Sequence, residues 1–208
     1  DDTLSGTQNT NILLNTTVNP GGTLFNNLSY NYSLAGSGGI AGTNAIFVSG
    51  GGHVTIANTN TTSGGVQVTS GTLQLGDGAG KNGGLAGPIT LVNGGAFVVA
   101  NSVDQTLASP ISGTGNLILN SPNTLILAAS NDLSHVAVTV NGGTMSNSVA
   151  GGLAVSALNL AGTFKSRDSL MFSGTTNSPL TILQNSVIDT PAMIFLAGAP
   201  NNTYINFN

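Results

Sequence analysis

Apolar and polar residues alternate in short runs along almost the whole chain. Between Gly52 and Gly76 this happens three times, at Val54 and Ile56, at Val66 and Val68, and at Leu73 and Leu75. Period two is the signature of a strand with one buried face. Asn, Thr, Ser and Gly fill the gaps and turn the chain. The same pattern predicts strands over 11–18, 23–28, 30–34, 45–49, 54–57, 66–69, 72–75, 89–92 and 96–100. It continues over 117–120, 125–128, 137–140, 144–146, 153–160, 163–164, 170–173, 180–184, 193–196 and 204–207. Helical periodicity is nearly missing. Its best window, 150–161, contains Gly151-Gly152 and Val155 and reads equally well as a strand.

An internal repeat organises these strands. Ile40-Ala-Gly-Thr returns as Ile111-Ser-Gly-Thr at an offset of 71 (111 − 40). The offset holds to Ser63 and Ser134 and superposes Val54 and Ile56 on Leu125 and Leu127, and Asn60 on Asn131. Residues 1–150 thus hold two copies of a unit of about 71 residues, and 151–208 read as divergent coils and a tail strand of the same domain. Repetition and the scarcity of aromatics favour an all-β solenoid, a right-handed parallel β-helix, with a β-sandwich as the alternative. Val92-Asn93-Gly94-Gly95 and Val140-Asn141-Gly142-Gly143 are its predicted corners, as are Asn60 and Gly64-Gly65.

The segment 52–76 resembles the autotransporter-associated β-strand repeat. Val54-Thr55-Ile56, Asn60-Thr61-Thr62-Ser63-Gly64-Gly65 and Gly71-Thr72-Leu73 stand at the matching positions, with Thr62 in place of the usual aromatic. The second copy keeps Asn131, Ser134 and Gly142-Gly143-Thr144 but has His135-Val136 where the double glycine belongs. The likeness covers about 30–145. It implies a parallel β-helix in large exported bacterial surface proteins, without catalytic residues or a cofactor. The C-terminal membrane barrel of autotransporters has no counterpart in the tail Tyr204-Ile-Asn-Phe-Asn.

Composition narrows the partners. Only 5% of the 208 residues are charged, Glu is absent, and the net charge is −4. Lys81, Lys165 and Arg167 are too few for a phosphate-binding face, which argues against nucleic acid. Low charge weakens repulsion between copies and favours self-association. Zero cysteine removes disulfides and thiolate metal sites. No stretch is apolar for about 18 residues, so membrane insertion as a helix is not expected. The chain opens at Asp1-Asp2, which reads as a processed mature chain or a fragment, extracellular or at a bacterial cell surface with its signal peptide removed.

Candidate chemistry is sparse. The internal acids Asp77, Asp104, Asp132, Asp168 and Asp189 are scattered, and glycoside hydrolysis needs two carboxylates on one sugar. Asp104 and Asp132 are the pair that successive coils could bring together, although both read as turn residues. Lys165, Arg167 and Asp168 cluster, as a surface ion pair would. His53 and His135 fall at different points of the repeat and make no metal site. Gly78-Ala-Gly-Lys-Asn-Gly83 matches the dinucleotide fingerprint by letter, but Gly87-Pro88 follows where a helix is needed. The sequons at Asn15, Asn27, Asn31, Asn60 and Asn201 reflect an Asn/Thr-rich chain.

No catalytic, cofactor-binding or metal residue is therefore expected, and neither enzyme activity nor a cofactor. The expectation is a structural subunit of an extracellular filament or cell-surface layer whose chief partner is itself, joined by stacking or strand addition. The candidate contact residues are Tyr204, Ile205 and Phe207 in the tail and Ile12, Leu14 and Val18 in the opening strand. The alternative is the passenger or stalk of an adhesin that binds extracellular glycans or a host surface. A polysaccharide lyase or hydrolase ranks third.

Overall fold

The computed structural model describes residues 10–173, 179–183, 185–195 and 205–207. Strands are numbered in chain order. β1 (Asn11–Leu13), a bridge at Val18 and β2 (Thr23–Asn26) lie on three successive faces and complete one turn. β3 (Tyr32–Ala35), Ile40 and β4 (Ile46–Ser49) repeat it, followed by β5 (His53–Ile56), Thr59 and β6 (Val66–Val68). Next come β7 (Thr72–Leu75), Gly84 and β8 (Ile89–Leu91), then β9 (Ala96–Val99), β10 (Gln105–Leu107) and β11 (Ile111–Gly113). β12 (Asn116–Leu119), β13 (Thr124–Leu127), β14 (Leu133–Val140), β15 (Thr144–Asn147), β16 (Leu153–Leu160) and β17 (Thr163–Ser166) continue the winding. It ends with β18 (Leu170–Phe172), β19 (Leu180–Ile182), β20 (Val187–Asp189), β21 (Met193–Phe195) and β22 (Ile205–Phe207).

Every pairing is parallel and joins strands of successive turns, so the fold is a β-solenoid. The turns are not of one length. The turn from His53 to its partner Thr72 is tight, whereas the one from Leu180 to Ile205 takes more of the chain. Among the described residues there is no helix.

The alternation seen in the sequence becomes an inside and an outside. Leu73, Phe97, Leu117, Val138 and Leu158 form one continuous row up the first face, all fully buried. Each such side chain contributes about 1.5–3 kcal/mol relative to leaving it exposed. The polar positions between them point outward; Ser33, Thr55 and Gln74 are neighbours in register there. Parallel stacking puts like beside like, and this order serves aliphatic rows and hydroxyl rows equally.

β14 and β16 differ from the rest. Each is eight residues long and runs without interruption round the corner between the third and first faces. The register slips between Leu133 and Ala137, where Ser134 and His135 break the inward alternation. This irregularity lets the strand bend while its hydrogen bonds continue. As a result β18 and β21 belong to the same twelve-stranded sheet as β1 and β22.

The sequence repeat takes on a geometric meaning. Three turns on from Val54, through Leu73 and Phe97, the register reaches Leu117. The counterpart of Val54 in the repeat is instead Leu125, one strand further along. The repeat therefore overshoots three turns by a third of a turn. Val54 lies on the first face, whereas Leu125 lies on the second. The repeated segment is rotated onto the next face and keeps its local bonds. Asn60 Oδ1 accepts from the Ile40 N–H at 2.8 Å, and its amide donates to Asn58. Asn131 Oδ1 accepts from the Ile111 N–H at 2.8 Å, and its amide donates to the Ala129 carbonyl.

These bonds predict unequal costs. Asn60 is buried at 1% exposure, whereas Asn131 is only half-buried. Asn60→Ala should lose about 2–3 kcal/mol, because the N–H of buried Ile40 is left without an acceptor. Asn131→Ala should lose about 1 kcal/mol, because water replaces the lost partner. Urea unfolding midpoints at constant slope measure both.

Strand extents depart from the sequence pattern at a few places. The opening strand stops at Leu13, and only Val18 pairs again, because the chain turns a corner between them. β10, β11 and β20 carry no strong alternation and were not expected as strands.

Candidate functional site

The two ends of the solenoid are where exposed apolar surface gathers. Among the described residues, Leu13, Val18, Leu24 and Leu28 are exposed in the first turn, and Leu183, Val187, Met193 and Ile194 in the last. Between the ends, Phe47 and Val103 are the other large apolar side chains exposed. Leu24 and Phe47 are direct register neighbours on the outer surface of the third face.

At the N-terminal end, Ile12 and Leu14 pack against the core but are only partly covered. Val18 is 36% exposed and bridges Ile40, with its N–H donating to the Gly39 carbonyl at 2.9 Å. These three candidate residues do converge. Together with Leu24, Phe25 and Leu34 they line one apolar cavity of about 320 Å³ at the end of the coil. Phe25 and Tyr32 close one wall with their rings 6.2 Å apart and tilted. Within the described residues, β1 and β2 each pair on one side only.

At the other end, β20, β21 and β22 also pair on one side only within the described residues. Ile205 and Phe207 lie in β22 opposite Leu180 and Ile182. Tyr204 lies outside the described residues. The alternation in 11–18 and 204–207 pointed to the end strands. Leu24, Phe25, Val187, Met193 and Ile194 were not singled out, because nothing local distinguishes an end strand from an interior one.

The scattered polar candidates hold turns. Asp104 Oδ1 accepts from the Thr124 N–H at 2.7 Å, one turn on, and Asp132 accepts from Ser134. Asp104 precedes β10 on the second face, whereas Asp132 bridges Ser112 on the third, so the winding does not bring this pair together. Asp77 Oδ1 accepts from the Ala79 and Lys81 N–H groups, each at 2.9 Å. The Ala79 bond, with help from Lys81, holds the Asp77 carboxyl below the usual carboxylate range. The Ser134 hydroxyl does the same for Asp132. The glycine loop that follows Asp77 runs through Pro88 into β8, not into a helix.

Asp132, Ser134 and His135 form a contact sequence that no spacing rule had flagged. The Ser134 hydroxyl donates to Asp132 at 2.7 Å and lies 2.9 Å from His135 Nδ1. The hydroxyl sits in the middle. An activated serine needs the imidazole there, between nucleophile and carboxylate. His53 stands apart on β5, where partial burial pushes its pKa down. No group of three or more His, Cys, Asp or Glu capable of holding a metal occurs among the described residues. Lys165 pairs with Asp189 at 3.6 Å, and Asp168 accepts from the Gly151 N–H at 2.7 Å. Of the sequons, Asn27 and Asn60 are fully buried and out of reach of a glycan.

Comparison with family models, with curated proteins and with solved structures finds no match to this chain.

Proposed function

We propose that the protein is a non-enzymatic structural subunit, which self-assembles end to end into a filament or surface layer outside the cell. The observation that carries this reading is the gathering of exposed apolar side chains at both ends, beside strands paired on one side only. Unpaired strand edges are templates for another chain. The low charge of the surface adds little repulsion.

The topology also supports a polarity. All strands run parallel, and the two ends present the same three faces in the same order. A second copy stacked in the same orientation would set β22 against β1, β20 against the Val18 segment and β21 against β2. Such a head-to-tail contact uses different surfaces on each partner and does not close, so it grows a filament. The extracellular setting comes from the resemblance to autotransporter repeats.

Negative-stain images of concentrated protein should show fibres with a regular axial repeat. Val18→Lys puts a charge in the end cavity and should cost the joint several kcal/mol, leaving folded monomers. Sedimentation of the unmodified chain as a monomer at every attainable concentration would overturn the reading.

A further inference from the structure

Away from the ends, a trough lies on the second face along β15, β17 and β20. It is open to solvent, has a volume of about 360 Å³, and is lined by Ser146, Ser148, Lys165, Ser166, Arg167 and Asp189. Two of the chain's three Lys and Arg residues meet there. In a protein of net charge −4, that concentration of positive charge is local and specific to one face.

The groups in the trough are not all used by the fold. The single ion pair among the described residues joins Lys165 to Asp189. The guanidinium of Arg167 is therefore in no ion pair, and its side chain is exposed. The Ser166 hydroxyl is buried without a hydrogen-bond partner, and the residue is only 6% exposed. A buried hydroxyl with no partner is costly, and a ligand oxygen would remove that cost. A guanidinium presents two parallel N–H donors that match the oxygens of a carboxylate or sulfate. Asp189, on the same rim, can accept from a hydroxyl group.

We propose that this trough binds an oxyanion, carboxylate or sulfate, carried on an acidic polysaccharide. Arg167 grips the oxyanion, Ser166 donates to it, and Lys165 supplies a second positive charge. Asp189 and the hydroxyls of Ser146 and Ser148 meet the sugar hydroxyls. An open, hydroxyl-rimmed trough suits one acidic residue of a long chain, since the neighbouring sugars can leave at both ends. The site lies on the side of the solenoid and is independent of end-to-end stacking.

Calorimetric titration of the whole protein with oligogalacturonate, a sulfated galactan oligosaccharide and a neutral dextran oligosaccharide tests this. The expected result is saturable binding of at least one acidic oligosaccharide and none of the neutral one. Arg167→Ala should weaken that binding about tenfold or more, and Arg167→Lys severalfold, because the fork is lost and the charge kept. Lys81→Ala, which removes a remote cation, should leave it unchanged. Which acidic oligosaccharide binds separates carboxylate from sulfate. Because Arg167 is exposed, its variants should keep the circular dichroism of the unmodified protein, and Arg167→Gln serves as a second variant. Absence of saturable binding to both acidic oligosaccharides, equal binding of the neutral one, or full binding by the folded Arg167 variants would overturn the proposal.

Discussion

Phe97→Ala should lower the unfolding free energy by about 3–5 kcal/mol, a large part of what a domain of this kind possesses. Phe97 is fully buried in the middle of the first face. Its register partners are Leu73 below and Leu117 above, both fully buried. Truncation removes the ring and leaves a void. The void cannot collapse, because the hydrogen-bonded ladder fixes the spacing of the turns on either side. Phe97→Leu should cost much less, since most of the volume is kept. In a solenoid each turn touches chiefly its neighbours, so the loss should be felt most near β9. Hydrogen exchange of the β7, β9 and β12 amides, alongside the urea midpoint, measures it. Equal loss of protection in β1 and β19 would show that the coil unfolds as one unit instead.

Gly113→Ala should be nearly as damaging, by about 3–5 kcal/mol, though only one methyl group is added. Gly113 ends β11 with φ +115, in the region that side-chain-bearing residues avoid. A Cβ there would fall on the backbone carbonyl of Leu91 in the preceding turn. That carbonyl already accepts from the Thr114 N–H at 2.7 Å, so it cannot swing aside without breaking the corner. Gly78 provides the control. It also has positive φ, +73, but nothing lies within 4 Å of its added Cβ. Gly78→Ala should cost only about 1–2 kcal/mol, the local conformational strain. Thermal or urea unfolding of the two variants separates close approach from strain. Equal losses would show that the Leu91 contact is unimportant.

Most of the strands were legible because burial alternates with period two and each corner is built from Asn, Gly, Thr and Ser. The second face of the coil was less legible. At Val18, Ile40, Thr59 and Gly84 it is a single bridge or a bond, too short to show a period. β10 and β11 are three residues each, and only Leu107 and Ile111 in them are large and buried. The candidate contacts at Ile12, Leu14 and Val18 were readable as an apolar strand near the chain start. Their meeting with Leu24 and Phe25 was not, because it depends on how far the chain travels before it returns to the same face.

The trough beside Arg167 illustrates the same limit. Lys165, Arg167 and Asp168 read as a local surface cluster. The winding instead gives Lys165 a partner in Asp189, its register neighbour one turn on, and turns Asp168 toward the Gly151 N–H. Arg167 is left over beside the buried hydroxyl of Ser166. Spacing along the chain cannot foretell such a division, because it is set by the register between turns.

By itself, the sequence determined that this protein is built of short strands, that they stack as a solenoid, and that asparagine and glycine form its corners. Those are local matters of side-chain period and backbone freedom. The tertiary structure alone decided which residues share a face, because the turns differ in length and do not divide the sequence repeat evenly. It rotated the second copy by a third of a turn and opened the end cavity around Val18. It also left Arg167 and Ser166 side by side in a trough, since parallel pairing places each residue over one about a turn away and ignores its neighbours in sequence.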